Sequence, residues 1–343
     1  MARDEDDEAP PGIPPRENPD LVGHETAEAQ LARSFRSGRM HHAWLITGPP
    51  GIGKATLAFR LARWIYAGKA KSGTDTALHV EPSHPMFRMV ASGGHPDLRV
   101  LKRELNEKTG KMRSEISVEQ ARDAIHFLQL TPALGGWRIV IIDPVDDLST
   151  AAANSLLKAL EEPPARGLFL LINHAISRAL PTIRSRCQRL VLQPLPAESV
   201  EAIVAKSMPE LPRAELSELA KLSEGSPGKA LALAAAGGLE LLHEMQAVLA
   251  KLPQLDGVAL ERLTDKIARA GEDAVASLRD LLLWWLAERV KSSAGAGAGG
   301  LDRWAQLWEN TARLFERAEA ATLDRKQALL EIFYDIQATA RAA

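Results

Sequence analysis

Hydrophobic residues follow two rhythms along this chain. Between Ala43 and Leu192, short continuous apolar runs alternate with stretches whose apolar positions recur every three or four residues. The runs Ala43–Thr47, Leu98–Leu101, Ile139–Ile142, Gly167–Asn173 and Leu190–Leu192 predict short strands. Being apolar throughout rather than alternating, they suit a parallel sheet buried on both faces. The periodic stretches predict helices over His24–Arg36, Ala55–Tyr66, Val118–Leu128 and Ala151–Leu160. Ala27, Leu31 and Phe35 share one face of the first, and Leu57, Leu61 and Ile65 one face of the second. Ser149 and Thr150 can cap the fourth, and Pro163-Pro164 stops it. A short helical turn is expected over Leu180–Arg186, and residues 67–96 read as irregular. Strand and helix in alternation mean an α/β domain with a parallel sheet flanked by helices. After Pro194 the strand rhythm stops. Three short helices are expected at Ala197–Ser207, Arg213–Ser223 and Gly228–Ala236. The chain from Leu239 onward is helical too, broken by a Gly/Ala/Ser loop at 292–300.

Composition narrows the class. The 343 residues are 45% hydrophobic and 25% charged, enough for two or three domains with proper cores. No apolar run is long enough for a membrane helix, and the start lacks a signal core, so a cytoplasmic location is expected. Cys187 is the one cysteine, which excludes an internal disulfide and a multi-cysteine zinc site. Residues 1–20 are Pro-rich and carry seven acids against Arg3 and Arg16, a net −5. They are expected to form a disordered tail. The whole-chain charge of −2 leaves about +3 for the rest, too little to argue nucleic-acid binding. The basic run Arg99–Arg113 is interrupted by Glu104 and Glu107 and reads as a solvated loop. His79, His84 and His95 lack the spacing of metal ligands. Trp284, Trp285, Trp304 and Trp308 suit core packing or a partner interface.

Candidate chemistry gathers at the strand ends, where open α/β sheets place ligands. Gly48, Pro49, Pro50, Gly51, Ile52, Gly53 and Lys54 follow the first strand and open a helix. That context fits a phosphate loop, whose N–H groups and helix N-terminus cradle anions and whose lysine reaches the phosphates. Such loops continue with Ser or Thr to hold magnesium, but Ala55 stands here. Thr56 lies one place later, turned by about 100° on the helix. Asp143 closes the third strand, where it can bind magnesium or merely cap a loop. Pro144 follows it, where an acid would orient the attacking water. Asn173 closes the fourth strand and can either touch a γ-phosphate or serve as a turn residue. Arg186, in Ser185-Arg186-Cys187, sits at the sheet rim. Its planar fork could meet a neighbour's phosphate or form a surface ion pair.

The stretches HHAWLITGPPGIGKATLA, GHPDLRVL, AAANSLLKALEEPP, LPTIRSRCQRL and EGSPGKALAL together resemble the bacterial DNA polymerase III clamp-loader subunits of the AAA+ class, the delta-prime type in particular. The resemblance is strong over 22–193 and weaker through 236. It implies a RecA-like AAA+ domain at 21–194, a three-helix lid at 195–238 and a helical collar at 239–343 that joins subunits in a ring. It implies partners: motor subunits of the tau/gamma type, a delta subunit, a sliding clamp, and primed DNA through the assembled complex. It also implies that Arg186 acts as a finger in trans on ATP held by the adjacent motor subunit. Motor subunits carry Ser or Thr after the loop lysine, an acid after the strand aspartate and an Arg in the lid. Here those places hold Ala55, Pro144 and Gly228. The expectation is therefore a degenerate site that holds ATP or ADP without turnover, in a chain that joins a DNA polymerase holoenzyme without being catalytic alone. Lys54 is retained, although delta-prime chains often lose it. The four-cysteine zinc module common in these subunits is missing from 67–94, so no zinc is expected. Two rivals are an active motor-type ATPase and a purely structural adaptor.

Overall fold

The computed structural model describes residues 12–68, 77–106, 110, 112–174, 180–293, 298–321 and 325–342. Residues 1–11 of the expected tail, and Lys69, Lys71 and Glu107, lie outside the described residues. The chain forms two compact units, one of residues 1–210 with 224–229, the other of 211–223 with 230–343. The first helix expected in the 195–238 lid therefore goes with the first unit, and the second with the second.

The first unit is a five-stranded, all-parallel sheet in the order β2-β3-β4-β1-β5. Its strands are β1 (Ala43–Thr47), β2 (Leu98–Leu101), β3 (Arg138–Ile142), β4 (Gly167–Asn173) and β5 (Gln188–Val191). The helices between them are α1 (Glu25–Arg36), α2 (Lys54–Tyr66), α3 (Pro85–Ala91), α4 (Val118–Gln129), α5 (Thr150–Glu161) and α6 (Pro181–Arg184), with α7 (Ala197–Ser207) following β5. Successive residues of a strand point to opposite faces. Trp44, Ile46, Ile139, Ile141, Leu168, Leu170 and Ile172 enter one core with α1 and α2. Ala43, Leu45, Val140, Ile142, Phe169 and Leu171 enter the other with α4 and α5. Both cores are closed to water, which explains why these strands read as apolar runs. Capping follows the sequence as well. Ser117 and Gln120 form a capping box on α4, and Ser149 Oγ accepts from Ala152 N at 3.1 Å at the start of α5.

Three features differ from expectation. Residues 292–300, expected as a loop, include the end of one helix at Ser293 and the start of the next at Ala298. Residues 67–96 were read as irregular but contain α3, started by Pro85 and capped by His84, whose ring accepts from Met86 N. The expected tail is also not free over 12–20. Arg63, 1% exposed, donates to Arg16 O at 3.1 Å and Asn18 O at 2.7 Å. Arg60 donates to Pro19 O and pairs with buried Glu28 at 2.7 Å. This segment is held by its backbone carbonyls, so its lack of apolar side chains did not matter.

The second unit is helical. It contains α8 (Arg213–Leu222), α10 (Gly238–Leu249), α11 (Gly257–Ala270), α12 (Glu272–Ser293), α13 (Ala298–Ala321) and α14 (Arg325–Ala342). The preceding α9 (Pro227–Ala235) begins in the first unit. Leu278, Leu282, Leu286, Phe315, Leu329 and Phe333 are buried in it. Trp304 is buried and meets Trp285 edge to face at 6.0 Å. Trp308 is 39% exposed and donates to Leu283 O. Among the described residues no helix is long and apolar enough to cross a membrane.

Candidate functional site

The register of the sheet brings the predicted residues to one edge. Thr47 ends β1 opposite both Asn173 and Val191. Ile142 ends β3 opposite Leu171, so Asp143 stands level with Ile172, one step below Asn173. The loop from Gly48 leaves β1 between these ends and enters α2 at Lys54, with Gly53 at a φ of 102° as the N-cap. His24 Nε2 lies 2.7 Å from Ile52 O and steadies the loop from α1.

Lys54 is 3% exposed. Its ammonium donates to Gly48 O at 2.7 Å and Pro49 O at 2.5 Å, carbonyls of the loop itself. Burial pulls its pKa down to about 8, against the opposing influence of Asp143 and Asp146. Burial pushes the Asp143 carboxyl up to about 6, against the pull of Lys54, while Asp147 adds to the rise. The donors fit a phosphate better than a metal. Lys54 and the helix N-terminus it opens are of the chemistry that takes an anion, but Ala55 packs against the apolar core and Thr56 is buried one residue on. No hydroxyl at position 55 and no acid at 144 complete a magnesium site.

Sequence reasoning missed two neighbours. Asp146 Oδ1 accepts from Asn173 Nδ2 at 2.8 Å, and its Oδ2 accepts from His174 N at 2.7 Å. Asp146 thus ties the end of β4 to the turn after β3, and Asn173 is engaged in that tie. The His174 ring is pulled down to about 4, first by burial and then by the Lys54 charge. The only cue was the acidic pair Asp146-Asp147, which resembled ordinary loop polarity.

The Gly-Ser-Pro-Gly stretch closes over the loop. Ser226 Oγ donates to Pro50 O at 2.8 Å and Gly228 N to Gly51 O at 2.9 Å. Gly51 has a φ of +74°, and a Cβ on Gly228 would stand 2.7 Å from Gly51 Cα. Two glycines are needed for this approach. Position 228 therefore has no room for a side chain.

Arg186 lies between α6 and β5, its side chain 32% exposed. Its Nε donates to Glu161 Oε1 at 2.9 Å, and Nη2 donates to the same oxygen. Nη1 donates to Thr182 O at 2.9 Å and Ser185 Oγ at 3.2 Å. Cys187 beside it is raised to about 12 by burial, so it is no reactive thiolate. His79, His84 and His95 have separate partners, and no group of three ligand-type residues occurs among the described residues.

This sheet, with a glycine loop after β1 and an aspartate after β3, defines the RecA-like AAA+ class of nucleotide-binding folds. A gamma-subunit-related DNA polymerase III protein of Thermotoga maritima shares the fold. Its TM-score is 0.53 at 18% identity, covering 92% of this chain and 99% of that one. The chain belongs to the family described as DNA polymerase III, delta subunit, whose model matches residues 23–196. A DNA polymerase III subunit delta' of Pseudomonas aeruginosa is 40% identical over 189 residues, 54% of this chain and 53% of that protein. The chain thus spans about half the length of that relative. One from Yersinia pestis is 34% identical over 250 residues, 68% of this chain and 70% of that one.

Proposed function

We propose that the chain is the delta-prime subunit of a DNA polymerase III clamp loader, helping to load a sliding clamp on primed DNA in the cytoplasm. It assembles with tau/gamma-type motor subunits and a delta subunit. One observation carries the reading: the site keeps the glycine loop, Lys54 and Asp143, while Ala55 and Pro144 stand where a hydroxyl and a second acid belong. Such a site can hold the phosphates of ATP or ADP through Lys54 and the loop N–H groups. Asp143 stands there without a hydroxyl at 55 or an acid at 144 to complete a magnesium site or orient an attacking water. Asp146 is drawn to the end of β4 instead, its two oxygens accepting one bond each from Asn173 Nδ2 and His174 N.

Chemistry then belongs to the neighbour. Arg186, at the rim after α6, reaches an adjacent motor subunit's ATP and stabilises the charge that develops during phosphoryl transfer. The rival reading, an ATPase in its own right, draws on Lys54 and its closeness to Asp143 and Asp146. Radiolabelled ATP turnover by the isolated chain separates them. The expected result is background hydrolysis, with or without weak nucleotide binding. Turnover that disappears on Lys54→Ala overturns the proposal.

A further inference from the structure

The Arg186 guanidinium has five N–H groups, and four are satisfied on its own subunit. Glu161 takes one from Nε and one from Nη2, while Thr182 O and Ser185 Oγ take the two on Nη1. The edge formed by Nε and Nη2 is the one that best matches two oxygens of a carboxylate or a phosphate. Here that edge is given to Glu161. Among the described residues, Glu161 is the one carboxylate in ion-pair contact with Arg186. It ends α5, its side chain is 49% exposed, and among the described residues that side chain bonds to Arg186 alone. The two sides of the guanidinium are therefore held differently. Nη1 is fixed by α6 and the residue after it, whereas Nε and Nη2 are held by a water-accessible side chain.

Resting on the reading of Arg186 as a finger, we infer that Glu161 is a displaceable counter-ion. It holds the phosphate-facing edge of Arg186 until a neighbouring subunit's nucleoside triphosphate displaces it. A phosphate brings more charge and more acceptor oxygens than one carboxylate, so it can win the exchange. The Nη1 bonds keep the guanidinium aimed while the partner changes. The latch raises the free energy of finger engagement, and this slows the neighbour's turnover at low ATP.

The test uses the full chain in the loader assembled with its motor and delta subunits. Steady-state ATP turnover is measured as kcat/KM. Glu161→Gln keeps the shape and removes the charge, and should raise kcat/KM by about two- to fivefold, the size of an exposed ion pair. Glu161→Asp keeps the charge and should stay near the parent value. Glu161→Gln combined with Arg186→Ala should match Arg186→Ala alone, since the latch acts through the arginine. Melting of the isolated Glu161→Gln chain should be unchanged, because the pair is exposed. A fall in kcat/KM for Glu161→Gln would make Glu161 a support of the finger and overturn the latch. So would an unchanged value in a loader that loses turnover on Arg186→Ala. If Arg186→Ala itself has no effect, the finger reading fails first and takes the latch with it.

Discussion

Asp143 and Lys54 record the cost of burying charge at the strand ends. The Asp143 carboxyl rises from 3.8 to about 6, so the folded chain binds its proton more tightly than the unfolded chain does. Its contribution to stability is fully present below about pH 4 and is lost as pH rises through 6. Asp143→Asn should flatten this part of the profile. The difference should be at most about 3 kcal/mol across the window, one pKa unit being worth about 1.4 kcal/mol. Denaturant unfolding of both chains between pH 4 and 7 checks it, and parallel profiles would contradict the burial argument. Lys54 has the opposite sense. Its pKa falls from 10.5 to about 8, so its penalty is present below pH 8 and is relieved as pH rises from 8 toward 10.5. Arg186 is different again: half-buried at a rim and paired with Glu161, it should tolerate Arg186→Ala with little loss of folding stability.

At the scale of elements, the contact of the phosphate loop with the start of α9 is the most demanding. A methyl on Gly228 would meet Gly51 Cα at 2.7 Å and Gly51 O at 3.0 Å. Gly228→Ala should therefore break the Gly228 N to Gly51 O bond and cost about 1–3 kcal/mol. Thermal melting should fall by several degrees; an unchanged melting curve would show the loop free to retreat. Much of this level was legible in the sequence. The central strands β1, β3 and β4 are buried runs because both sheet faces are covered there, and Gly48 to Lys54 is read directly from its place between β1 and α2. Other parts were not. Helix α3 is seven residues long and hides in a Gly/Pro/His-rich stretch, too short for a periodic signal. Residues 16–19 are fastened by carbonyls to Arg60 and Arg63, and backbone acceptors leave no mark on composition. The Asp146–Asn173 bond joins residues 27 positions apart, which only the sheet register brings together.

For the whole molecule, the sequence divided the chain by rhythm and resemblance, whereas compactness divides it through the expected lid. The three-part division into 21–194, 195–238 and 239–343 belongs to the proposed loader, where the lid would act as a unit. The proposal includes folding without zinc: Cys187 is the sole cysteine. Melting with and without a strong chelator should give the same midpoint, and a large drop would reveal a structural metal. The central claim is that this chain acts on its neighbour's ATP and not on its own. Its most direct test is Arg186→Ala in the assembled loader, reading ATP turnover at the adjacent motor site. The account predicts a folded, assembled complex in which that one site slows by roughly a thousandfold or more, while other sites continue. Arg186→Lys should not restore it, since a point charge cannot replace the planar fork. Normal turnover at the adjacent site and normal clamp loading by the Arg186→Ala complex would contradict the account and leave the chain a structural adaptor.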